Sequence, residues 1–157
     1  MDRYTLLFQA IASLIPKGFH ITFGSLVEDP EKHPNAIGIS FKGGTPSHRS
    51  ITTGRYNMRA ARVVMNIVTA PAPTVKNVGG TNYKVSADAK KSVSKGREAV
   101  EEFLNKIETL SNYTYTDKES GDSVRIVLTQ TLGDLNQLGF NGNGQPFFSV
   151  NFTINYV

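Results

Sequence analysis

Cysteine and tryptophan are both absent from this sequence. Without a thiol there can be no disulfide framework, thiolate metal site, iron–sulfur cluster or cysteine nucleophile. Long apolar runs are missing as well. Hydrophobic residues fill 39% of the 157 positions, but only a few stand together at any point, far short of the roughly 20 that a membrane-crossing helix needs. The opening MDRYTLLFQAIASLIPKGF sets an acid beside its one early base and has no small-residue cleavage signature. It reads as an ordinary helix rather than a secretory leader, so the expected compartment is a reducing cytoplasm and no membrane is expected as a partner.

The last scarcity is local. Thirteen acids oppose 17 Lys and Arg for a net charge of +4, yet no Asp or Glu falls between Glu31 and Asp88. That stretch holds Lys32, Lys42, Arg49, Arg55, Arg59, Arg62, Lys76 and Lys84, with His33 and His48. The basic surplus is therefore concentrated in the middle third, which points to a partner of opposite sign.

Hydrophobic periodicity divides the chain. Residues 2–15 place Leu7, Ile11 and Leu14 on one helical stripe, widened by Tyr4, Phe8 and Ile15, and Pro16-Lys17-Gly18 ends it. Residues 19–23 and 37–41 alternate as strands. Residues 62–69, RVVMNIVT, form a dense β-branched run that predicts a buried central strand. Two basic stretches, at about 43–61 and 72–93, read as long loops around it. From 94 to 113 a helical stripe returns at Val100, Phe103, Leu104, Ile107 and Leu110. Glu102 and Lys106 on that helix have the spacing of a favourable i,i+4 pair. Residues 114–123 read as a turn, 124 to about 131 as a strand, and 139–144 as a tight reversal with two Asn-Gly steps. Phe148, Val150, Phe152, Ile154 and Tyr156 then alternate with polar residues in a final strand. The order is α-β-β-β-α-β-β. It predicts one α+β domain over residues 1–157, with a mixed, mostly antiparallel sheet of about five strands covered by two helices.

No catalytic constellation emerges. His20, His33 and His48 have no carboxylate or second histidine at ligand spacing. Gly24-Ser25 lacks the flanking glycines of a nucleophile elbow. Gly43-Gly44-Thr45-Pro46 has no following Gly-Lys-Ser/Thr, and Pro46 removes a donor that a phosphate loop would use. Asp117, Glu119 and Asp122 cluster at a turn without the full ligand set of a calcium loop. The expectation is a non-enzymatic protein with no cofactor, no metal and no catalytic residues. The basic middle remains as the functional feature, with Lys42, Arg49, Arg55 and Arg59 as candidate contacts to phosphates or an acidic protein surface and Arg62 expected nearer the sheet. No pattern for sequence-specific nucleic-acid recognition is present, so any such contact would be electrostatic.

Four segments in order carry a likeness to a known family: KGFHITFGSLVEDPEKHPNAIGISFKGGTP, RVVMNIVT, REAVEEFLNKIETL and LGDLNQLGFNGNGQPFFSVNFTINYV. Over about residues 6–156 the chain resembles the tail terminator, or minor capsid, proteins of long-tailed bacteriophages (siphoviruses). The "NAIGISFKGGTP" strand and turn and the "LGFNGNGQPFFSVNFTINY" ending are the parts most alike. The resemblance implies a compact α+β fold and a virion structural protein of the tail–head junction, assembled in the bacterial cytoplasm. Such proteins form a ring, usually of six subunits, that caps the tail tube, stops its polymerisation and docks the connector of the head. Its partners would be its own copies, the tail tube protein and the head connector protein, with DNA passing without base-specific contact. A different class stays open beside it: a small basic module that binds nucleic acid non-specifically.

Overall fold

The computed structural model describes residues 1–43, 48–49, 56–131 and 135–157. Along them run α1 (Arg3–Ala12), β1 (His20–Phe23), β2 (Ala36–Gly43), β3 (His48–Arg49), β4 (Tyr56–Val68), β5 (Pro73–Val78), β6 (Thr81–Ala87), α2 (Ala89–Glu108), β7 (Ser111–Thr116), β8 (Ser123–Thr131), β9 (Asn136–Phe140) and β10 (Pro146–Tyr156). The fold is α+β. Its main sheet has the order β1-β2-β4-β10-β8-β7, with β3 added to β4 and β9 to β10. Among the described residues only β1 and β2 pair in parallel; the other ladders are antiparallel.

Several expectations need correction. About five strands were expected, and the described residues contain eight in the main sheet and two in a separate hairpin of β5 and β6. The order α-β-β-β-α-β-β therefore omits β3, β5, β6, β7 and β9. The loop expected at about 43–61 gives way to strand from Tyr56, and the one at about 72–93 holds the β5–β6 hairpin and the first turn of α2. Residues 111–113 belong to β7 rather than to the helix, and the turn expected at 114–123 begins as the rest of that strand. The central position of the 62–69 run is as expected, since β4 lies between β2 and β10.

Alternation explains how the sheet buries one face. Ala61, Val63, Met65 and Ile67 of β4 are fully buried, as are Ile37 and Ile39 of β2 and Phe148 and Ile154 of β10. The intervening Ser40, Asn66, Ser149, Asn151 and Thr153 are partly or fully exposed on the other face. Both helices cover the apolar face. α1 starts at Asp2, whose carboxylate accepts the Thr5 amide at 2.9 Å, and it buries Leu6, Leu7, Ala10 and Ile11. α2 starts at Asp88, which accepts the Lys91 amide at 2.9 Å, and it presses Val100, Phe103, Leu104 and Ile107 into the same core as Phe148, Val150, Phe152 and Ile154. The Phe19 ring meets Phe103 edge-on at 5.3 Å, which joins the entry to β1 to that helix.

Close approach fixes the seat of α2. A Cβ on Gly96 would lie 2.3 Å from the Thr69 hydroxyl and 2.9 Å from the Phe148 ring. Neither can retreat, because Thr69 is 2% and Phe148 0% exposed. Alanine in a helix interior favours the helix by about 1 kcal/mol over glycine, but overpacking costs about 1–3 kcal/mol. Gly96→Ala is therefore expected to lower stability in urea denaturation, and an unchanged or raised midpoint would refute this seat. Phe152→Asp should abolish folding, because it places an unpaired charge where an apolar ring is 1% exposed. A soluble Phe152→Asp protein with native circular dichroism would disprove that packing.

Candidate interaction surface

Two of the four basic candidates, Lys42 and Arg59, lie on opposite faces of the sheet. Lys42, near the end of β2, is exposed on the face of the sheet turned away from the helices. Arg59 is also exposed, but it is in register with Tyr156 of β10 and shares the parity of Ala61 and Val63, so it belongs to the helix-covered side. The Tyr156 hydroxyl there is pushed above its ordinary value, first by burial and then by Tyr4, while Arg59 and Arg3 pull it down. Arg49 lies in β3, its backbone in register with Tyr56. Arg55 lies outside the described residues.

The structure instead brings Lys42 against Arg62. The two are directly opposed in the antiparallel β2–β4 ladder, and both are exposed. Across β4, Arg62 is opposed by Thr153, which is opposed in turn by Gln130 of β8. The next row runs Ser40, Val64, Asn151. Like charges directly opposed across a ladder disfavour the folded state, and among the described residues no carboxylate lies within 4 Å of either cation. This is a small cationic step on a polar sheet face. The alternation Val63-Met65-Ile67 already implied an outward Arg62. What alternation lacks is register, which sets Lys42 opposite Arg62 and no other residue.

The far end of the open face is closed by polar bonds. Gly38 of β2 lies under the backbone of Leu26. Gln145, 1% exposed, donates from Nε2 to the Pro34 carbonyl at 2.8 Å, and its amide reaches Asn141 Oδ1 at 2.9 Å. Asn141 in turn donates to Gln145 Oε1 at 2.8 Å and to Glu28 at 3.2 Å. The expected reversal at 139–144 is thereby tied to residues 24–35.

Three other candidates resolve as structural. His20 and His33, distant in sequence, stack with ring centroids 3.9 Å apart and planes 9° from parallel. Imidazole lone pairs lie in the ring plane, so stacked rings do not converge on one ion. Among the described residues no group of three or more His, Asp or Glu side chains gathers as a metal site. The acidic turn uses its carboxylates internally. Asp117 accepts the Ser120 amide at 2.8 Å, and Asp122 meets the Met1 amine at 2.8 Å. On α2 the closed i,i+4 ion pair is Arg97–Glu101 at 3.6 Å rather than Glu102–Lys106. No described helix is long and apolar enough to cross a membrane. No protein-family model and no curated protein matches the chain.

Hydrogen bonding sets an acid limit on stability. The Asp117 carboxyl is held below its ordinary range chiefly by the Ser120 backbone bond, Asp2 by Thr5, and Asp122 by its bond to the Met1 amine. A carboxyl lowered on folding contributes stability above its unfolded value, about 3.9, and loses it as pH falls through the folded value. The thermal midpoint should therefore drop as pH is lowered below about 4, and less steeply for an Asp2→Asn/Asp117→Asn variant. Equal slopes for the two proteins would refute the assignment.

Proposed function

We propose that this protein is a non-enzymatic phage assembly protein, a tail terminator that forms a ring on the finished tail tube. The observation that carries the reading is the ordered likeness over about residues 6–156, strongest in LGFNGNGQPFFSVNFTINY. That segment forms most of β9, the reversal at 141–145 and β10, the strand on which α2 and β4 both pack. The two-layer α+β build supports the reading, because a rigid sheet can present different surfaces to different partners. In this role the ring, usually six subunits in such proteins, ends tube polymerisation and offers a docking face to the head connector. It would sit at the tail–head junction after assembly in the bacterial cytoplasm. Basic side chains would meet acidic patches of the tube or connector, or the phosphates of passing DNA without reading bases.

The opposed Lys42–Arg62 pair also suits the second reading, a small module that binds nucleic acid non-specifically. Salt-dependent retention on duplex DNA with no effect on tail tubes would select that reading. The decisive experiment adds the protein to growing tail tubes and scores their ends by negative-stain microscopy. Capped ends and arrested growth are expected, and head joining should fail for an Arg55→Glu/Arg59→Glu variant. Tubes that keep growing in the presence of the protein would overturn the terminator role. Normal head joining by the variant would remove Arg55 and Arg59 from the contact surface.

A further inference from the structure

We propose that Asn143 is a self-modification site, where the chain converts its own asparagine to aspartate and isoaspartate, while the neighbouring Asn141 is protected. The proposal does not depend on the assembly role. The sequence holds two Asn-Gly steps, Asn141-Gly142 and Asn143-Gly144, both in the reversal between β9 and β10. At such a step the glycine backbone nitrogen attacks the asparagine Cγ, unhindered because the attacking residue has no Cβ. The N–Cγ bond forms, the Cγ–Nδ2 bond breaks, and ammonia leaves with the glycine amide proton. Solvent water then opens the cyclic imide at either carbonyl, with no change of oxidation state. One opening leaves aspartate. The other leaves isoaspartate, with the side-chain methylene carried into the backbone.

The two steps differ in what holds the carboxamide. Asn141 Oδ1 accepts the amides of Asn143 at 3.0 Å and Gln145 at 2.9 Å. Its Nδ2, the leaving group, donates to Gln145 Oε1 at 2.8 Å and to Glu28 Oε1 at 3.2 Å. Turning Cγ toward the Gly142 nitrogen breaks every one of these bonds. It also frees Gln145, which is 1% exposed and anchored to the Pro34 carbonyl. Asn143 is exposed, and among the described residues its carboxamide makes no hydrogen bond. Its attacking partner, the Gly144 amide, donates to the Asn141 carbonyl at 3.1 Å, toward the long end of the usual range. That single bond closes a turn whose residues 142–144 are exposed, so it opens locally without moving a buried side chain.

The product reaches beyond the turn. Isoaspartate at 143 lengthens the backbone between Asn141 and Gln145. Those two residues are joined by the Asn141 amide to the Gln145 carbonyl at 3.0 Å as well as through the Asn141 side chain. The longer backbone strains these bonds, draws Gln145 from Pro34 and loosens the tie between the reversal and residues 24–35.

Ageing the purified protein in mildly alkaline buffer tests the site, read by peptide mapping in a mass spectrometer and by enzymatic methylation of isoaspartate. In the folded protein Asn143 should lose its amide at least tenfold faster than Asn141, about 1.4 kcal/mol of barrier, and take up heavy oxygen from labelled water. In urea, where the bonds of Asn141 are gone, the two steps should convert at similar rates. Asn143→Ser should keep native circular dichroism and lose nearly all methylation of the folded protein. Amide hydrogen exchange across residues 24–35 should be faster in aged wild type than in aged Asn143→Ser. Equal rates at the two steps in the folded protein, faster conversion at Asn141, or undiminished methylation of the variant would overturn the proposal. So would folded protein that keeps Asn143 intact over the period in which urea-unfolded protein converts. Unchanged exchange in protein shown to carry isoaspartate would overturn the link to residues 24–35.

Discussion

The ladder between β4 and β10 is the constraint on which the rest of the molecule depends. Ten consecutive residue pairs, from Phe147–Val68 to Tyr156–Arg59, hold it in unbroken register. A shift by one residue would turn Val63, Met65 and Ile67 outward and bring Arg62, Val64 and Asn66 into the core. Burial of Phe148 and Phe152 together with that β4 row makes such a slip prohibitive. Both helices pack on the surface this register creates, and β2 extends it with eight further pairs. Lys42 reaches Arg62 for the same reason that Ile39 reaches Met65: one register places both.

The elements legible in the sequence are those whose apolar residues repeat without interruption. Phe148 to Tyr156, Ile37 to Phe41, and the second half of α2 all write their burial directly into their spacing. The first half of α2 does not, because its inward positions are Ser92 and Gly96. Ser92 is fully buried, donates to the Asp88 carbonyl at 2.6 Å and accepts from the Ala72 amide at 2.8 Å. A buried hydroxyl doing the work of a leucine leaves no hydrophobic period to read. β7, SNYTYT, sends only Tyr113 and Tyr115 toward the core and exposes most of its length. Among the described residues β5 and β6 pair with each other and not with the main sheet, so their register is set by a hairpin of its own.

The interaction surface divides in the same way. Parity is written in the order of residues: Arg62 stands between buried Ala61 and Val63, and Lys42 continues the outward alternation of Ser40. The acid-free stretch marks a region of the chain but does not assign its cations to faces of the sheet. It grouped Lys42 with Arg59, which the pleat sends to opposite faces. It also left Arg62 aside because a residue opening a buried strand looked structural. Linear charge density carries no information about faces, and only register supplies it.

The row Ser40, Asn66, Ser149, Asn151 and Thr153 makes the open face polar over β2, β4 and β10, while Leu128 of β8, opposite Asn155, is 43% exposed. A polar row of this kind needs no apolar cover. Contacts made there by charge would be individually weak, since an exposed ion pair contributes about 0–1 kcal/mol. Such a contact holds two free subunits poorly. A partner for this face would therefore have to engage it at several points at once, since linked weak contacts gain an effective concentration that single ones lack.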